Sequence, residues 1–174
     1  MAPTKTEIET LCSHLGTSDP SPFFDRVSPD VVWDVMGTYT LPSSHLYYST
    51  WTRKNPTLHL SHWLTYPPHR HFPSGDHPAA GHFTSLEAWK QGALGTINQI
   101  LREPLALKVV NVVGGGRDQE WALVELEANA VCKNGMPYPQ RYAWVMRFDE
   151  TGIIVQVRAY LDSALVQKAV DSNS

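Results

Sequence analysis

An α+β fold, with helices packed on a curved antiparallel sheet, is predicted by three observations on this 174-residue chain. Four strand-like segments follow one another over roughly residues 105–161 and are joined by GGG, NG and DETG, the residue types that tight turns require. Segments before and after them carry apolar residues at three- and four-residue spacing behind capping side chains, the mark of amphipathic helices. The chain is 42% hydrophobic, enough for one domain to bury a real core. The resulting order, ααβ, α, ββββ, α, places helices against a sheet rather than between parallel strands.

Each element has a local reason. Thr4 and Glu7 form a capping box ahead of Ile8, Leu11, Cys12 and Leu15, which share one helical face. Ser21 followed by Pro22 reads as N-cap and first residue of a short second helix burying Phe23, Phe24 and Val27. Residues 31–36 alternate as a strand. Ser85 caps a third helix with Leu86, Trp89, Ala93, Leu94, Ile97, Ile100 and Leu101 at helical spacing, and Pro104 ends it. Strands are predicted at 105–113, 120–133, 141–148 and 153–161, and a last helix at 162–170. In the third of these strands Tyr142, Trp144, Met146 and Phe148 alternate with Arg141, Ala143, Val145 and Arg147, a period of two.

This closing hairpin, with the string VVWDVMGT at 31–38, resembles the SnoaL-like branch of the NTF2-like superfamily. That superfamily includes ketosteroid isomerase, scytalone dehydratase, limonene epoxide hydrolase and polyketide cyclases. The resemblance implies a cone-shaped α+β domain around a pocket, covering residues 1–174 apart from an insertion at 39–76. Gly37-Thr38 and His77-Pro78-Ala79-Ala80-Gly81 match motifs that run on directly in the family, but are separated here. The intervening segment holds five His, five Pro, five Ser and five Thr, a single acid, and no Val, Ile, Ala, Met or Cys. It reads as an insertion at a hairpin tip or as a translated intron. Its His59, His62, His69 and His71 come without Cys, so a solvated loop is preferred over a zinc site. No metal and no cofactor is expected.

A net charge of −3 without a Lys/Arg block argues against nucleic acid or an anionic membrane as partner. Cys12 and Cys132 lack CxxC spacing and read as small buried residues of a reducing compartment. The first residues show neither a signal-peptide pattern nor a membrane span, so a cytoplasmic protein is expected.

The chemistry is sought around Asp34. Val32, Asp34 and Met36 share one face of their strand and Val31, Trp33 and Val35 the other, so an acid stands among apolar side chains, where burial raises its pKa. By resemblance Asp34 falls on the general base of ketosteroid isomerase; the alternative is an edge-strand Asp facing water. That enzyme's oxyanion donors are not matched, since Trp144 stands at the position of its acid. The limonene epoxide hydrolase set would fall on Glu127, Glu125 and Ala159. The resemblance therefore implies a pocket bounded by Glu127, Trp144, Met36, Val157, Ala159 and Leu161, with Tyr142 and His77 polarising a carbonyl. Glu125, Glu127 and Asn129 share one strand face, which is either solvent or a polar pocket wall. Asp162 reads as the N-cap of the last helix. The expected function is a cofactor-independent isomerase, cyclase or dehydratase (isomerase or lyase class) moving a proton on an apolar carbonyl compound of secondary metabolism. The partners expected are a small-molecule substrate and a second copy of the chain. The rival is a non-catalytic small-molecule-binding or dimeric interaction protein of the same fold.

Overall fold

The computed structural model describes residues 3–37, 77–116 and 119–173. Helix α1 (Lys5–Ser13) starts on the expected box: Glu7 N–H donates to Thr4 Oγ1 and Thr4 N–H donates to Glu7 Oε2. Helix α2 (Ser21–Phe24) begins one residue earlier than predicted, because Asp19 Oδ1, rather than Ser21, accepts the first N–H. Val27 leaves the helix and opens strand β1 (Val27–Val35). After the short β2 (Gly81–Phe83), Ser85 Oγ accepts from Ala88 N–H and caps α3 (Leu86–Trp89). A π-turn (Lys90–Leu94) joins α3 to α4 (Gly95–Ile100), so the predicted third helix is one rod with a widened middle turn.

Strands β3 (Lys108–Gly114), β4 (Trp121–Val131), β5 (Pro137–Phe148) and β6 (Ile154–Leu161) follow, and α5 (Ser163–Asn173) closes the chain. Gly114, Gly115 and Gly116 all take positive φ, the conformation L side chains avoid, which accounts for the GGG at the end of β3. Asp149 Oδ1 accepts from the N–H groups of Thr151 and Ile153 and holds the DETG turn.

Among the described residues the sheet has six strands in the order β2-β1-β6-β5-β4-β3. Every junction is antiparallel except β1 with β6, which is parallel, so the sheet is mixed. Parallel neighbours need a long crossover, and most of the chain lies between these two strands. The insertion expected at 39–76, with His59, His62, His69 and His71, lies outside the described residues. Gly37 and His77, which flank residues 38–76, are in contact: a Cβ on Gly37 would sit 2.6 Å from the His77 ring.

One face of the sheet carries the core. Trp33, Val35, Val124, Leu126, Tyr142, Trp144, Met146, Val157 and Ala159 are buried on it and stand opposite one another in register, for example Val124 with Trp144 and Trp144 with Ala159. α3 packs against β1, α1 against β3 and α5 against β5. Cys12 and Cys132 are free and buried, as expected. Burial pushes the Cys12 thiol up to about 12, which leaves it inert as a nucleophile.

Gln140 is a polar residue in this core, fully buried. Its Oε1 accepts from Asp162 N–H (3.0 Å) and Arg141 N–H (2.9 Å), and its Nε2 donates to the Asp162 carbonyl (3.0 Å). Asp162 Oδ1 in turn accepts from Leu165 N–H and caps α5, the role read from the sequence. Gln140→Leu should remove the partner of the part-buried Asp162 N–H and carbonyl and cost about 1–3 kcal/mol, seen as a lower denaturation midpoint at unchanged slope.

Candidate functional site

The period of two in β1 decides the site. Val31, Trp33 and Val35 face the core, so Asp34 and the half-buried Val32 and Met36 face the other way. Asp34 Oδ1 accepts from His82 Nδ1 at 2.6 Å, with His82 exposed and Asp34 partly so. This corrects the expectation that Asp34 shares a pocket with Tyr142 and Trp144: they lie on opposite faces of one sheet. Met36 is held by its backbone, its N–H donating to the Ala159 carbonyl.

The same parity corrects Glu127. Its neighbours Leu126 and Ala128 are buried in the core, and Glu127 turns outward to accept from Arg141 (2.6 Å) and Lys108 (3.3 Å). Glu125 and Asn129 are exposed on that outer face, so the three polar residues of β4 mean solvent and ion pairs. Arg141 and Arg147 face outward as expected, and Arg158 lies 4.9 Å over the Trp121 ring.

The core face holds a small apolar cavity of about 40 Å³. Trp33, Trp89, Trp144, Tyr138 and Tyr142 give it aromatic walls, and Ala159 and Leu161 of β6 close it. Val157 is buried on the same face but does not line it. Trp33 and Trp89 stack at 3.9 Å and 13°, and Trp144 stands edge-on to Trp33 at 5.1 Å. His77 sits beside the cavity's edge rather than in its wall, buried in a turn whose Ala79 is a lining residue. Its Nε2–H donates to the Met36 carbonyl at 3.2 Å, so His77 anchors the end of β1.

Tyr138, Trp33 and Trp89 were missed as pocket residues. The signal for Tyr138 was present, because the alternation of 142, 144, 146 and 148 continues back through Gln140 to Tyr138. The hydroxyls of Tyr138 and Tyr142 are buried, as is the indole nitrogen of Trp33, and none of the three makes a hydrogen bond of good geometry. Burial raises the pKa of both phenols, and for Tyr142, held well above 10, the neighbouring Tyr138 adds to the effect. Both are therefore neutral donors. Among the described residues the cavity lining includes no carboxylate and no imidazole, so its chemistry is hydrogen-bond donation to an acceptor within aromatic walls.

A second hollow, an open groove of about 440 Å³, lies where β3 to β6 meet the start of α5 and is walled by Val110, Glu125, Arg141, Tyr160 and Asp162. It is wider but solvent-washed, and its charges are screened or paired. Among the described residues no group of three or more His, Cys, Asp or Glu gathers as metal ligands, and no helix is long and apolar enough to cross a membrane.

The six-stranded mixed sheet wrapped on helices is the NTF2-like fold, as the sequence resemblance to the SnoaL-like family implied. A solved NTF2-like protein from Burkholderia thailandensis superposes with a TM-score of 0.56 over 91% of this chain and 92% of that one, at 16% identity. In sequence the chain is similar to two fungal proteins, the dimerizing cyclase phiC of a fungal species (30% identical) and the dimerizing cyclase tstC of Talaromyces stipitatus (29%). Each match runs over 99 residues, 57% of this chain and 44% of the relative, so the chain spans less than half of these curated relatives. No protein-family model matches.

The raised phenol pKa values have a measurable consequence. Both tyrosines bind their protons more tightly folded than unfolded, so their contribution to stability is complete below about pH 10 and is lost as pH rises beyond it. In an ultraviolet titration of the native protein, Tyr138 and Tyr142 should stay un-ionised past pH 10 and ionise together with unfolding; Tyr142→Phe should remove part of that step.

Proposed function

We propose that this protein is a cofactor-independent enzyme of the cyclase or isomerase type, acting in secondary metabolism on an apolar carbonyl compound held in the aromatic cavity. The observation that carries the reading is the unmet polar lining: buried, neutral Tyr142 beside Tyr138 in a wall of three tryptophans. Similarity to two dimerizing cyclases supports the reaction class. Tyr142 donates to the substrate oxygen and stabilises negative charge that develops there, in surroundings dry enough to make that bond strong. The tryptophan faces hold the conjugated part of the substrate and exclude water. The Asp34–His82 pair, on the far face, takes no part.

We also propose that the active form is a homodimer joined across the open sheet face, where Val110, Val113 and Tyr160 are exposed. Equilibrium sedimentation should then return about 39 kDa, twice the 19.5 kDa chain.

The deciding experiment compares metabolites of the source organism carrying the native gene, a deletion, Tyr142→Phe, or Asp34→Asn. Tyr142→Phe should accumulate the same precursor as the deletion, with turnover down about a hundredfold, the size of losing one oxyanion donor. Asp34→Asn should match wild type. The reverse pattern would move the chemistry to the outer face, and no effect from either variant would favour a binding protein.

A further inference from the structure

The donors in the cavity can be counted against acceptors. Tyr138 and Tyr142 are neighbours, and two adjacent hydroxyls can satisfy at most one of their two protons between them. Gln140, the nearest amide to Tyr138, offers no relief: its Oε1 already accepts from two backbone N–H groups and its Nε2 is bonded to Asp162. One phenolic proton therefore lacks an acceptor whichever way the pair turns. The indole N–H of Trp33, in the same lining, lacks one as well. Tyr138 and Trp33 are fully buried and Tyr142 nearly so. Unmet donors this deep destabilise the empty cavity, and a bound acceptor relieves them.

We propose that Tyr138, Tyr142 and the Trp33 indole form a recognition set for an uncharged, planar, conjugated dicarbonyl compound, one oxygen meeting the phenols and the other the indole. The inference rests on the cavity being the ligand site, as proposed above. Three features narrow the ligand class. The groups left unmet are protons, so the ligand presents acceptors. Among the described residues the lining has no Arg, Lys or His to neutralise a localised carboxylate or phosphate, which would be buried at high cost. The stacked and edge-on tryptophans favour a flat π-system. The free volume is well below the roughly 300 Å³ at which ligand pockets usually begin, so entry displaces the half-buried Leu94, Leu105 and Leu161 that form the non-aromatic wall. Leu94 belongs to the π-turn, where the regular helical hydrogen-bond pattern is already interrupted.

The test uses three probes on one skeleton, 2,2-dimethyl-1,3-indandione, 2,2-dimethyl-1-indanone and 2,2-dimethylindane, with two, one and no carbonyl groups. Each is titrated into the full chain by calorimetry, with the Trp33 indole N–H resonance followed in parallel. The dione should bind tightest, each carbonyl adding about fivefold in affinity. Tyr138→Phe and Tyr142→Phe should each weaken the dione about fivefold and leave the hydrocarbon unchanged. Each variant removes one hydroxyl and leaves at most one unmet phenolic proton, so both should fold about as stably as wild type, checked by their denaturation midpoints. The Trp33 resonance should move with the dione and not with the hydrocarbon. If all three probes bind equally and the variants change nothing, the donor set is overturned while the cavity stands as a ligand site. If none binds, the cavity reading falls and this inference with it.

Discussion

The stack of Trp33 on Trp89 is the contact on which the rest of the structure depends. Trp33 comes from the core face of β1 and Trp89 from the end of α3, so two parallel rings at 3.9 Å fasten the helix layer to the sheet. Trp144 of β5 stands edge-on to both, and Phe23 and Phe24 extend the cluster to α2. Burying a large aromatic ring is worth about 2–3 kcal/mol, and a well-placed pair adds about 1 kcal/mol. Few other single contacts join as many elements. Three rigid rings also cannot collapse into every gap between helix and sheet, and the space they leave beside Tyr138 and Tyr142 is the cavity.

The sheet separates two kinds of polarity. On its open face Asp34, Glu120 and Glu127 meet His82, Arg147 and Arg141, where water shares the cost of charge and such pairs contribute little to stability. On its closed face, among the described residues, the cavity's polar atoms are uncharged hydroxyls and an indole N–H, and Gln140 is bonded to Asp162 and Arg141. A carboxylate moved to that side would lose its hydration with no cation among the described lining residues to replace it. The described lining therefore offers hydrogen-bond donors to a bound oxygen and no buried acid. This is a different division of labour from the one that Asp34's likeness to a catalytic base implied.

Much of the architecture was legible in the chain. The capping residues Thr4 and Ser85, the Asp162 cap, the GGG and DETG turns and the alternation in β5 are local signals, and local hydrogen bonds or φ requirements enforce them. Element ends shifted where a neighbour outcompeted the predicted residue, as Asp19 did at α2. The candidate site was legible only in part. Trp144, Tyr142, Ala159 and Leu161 line the cavity because β5 and β6 are amphipathic, with charge on one side and apolar side chains on the other. For Asp34 and Glu127 the strand period showed which residues share a face, but not which face is the core, and the structure turns both to the outer one.

Sequence by itself determined the helix caps, the turns, the strand periods and which residues of each strand share a face, because these follow from backbone geometry within a few residues. It could not say which face of β1 is the core: Val32 and Met36 on one side are nearly as apolar as Val31 and Val35 on the other. That choice was made by Trp89 and Trp144, distant in the chain, which offer Trp33 two aromatic partners and leave Asp34 to water and His82. The parallel pairing of β1 with β6, and the meeting of Tyr138, Tyr142 and Trp33 around one cavity, are likewise tertiary decisions, since each joins residues whose only relation is the packing that buries them.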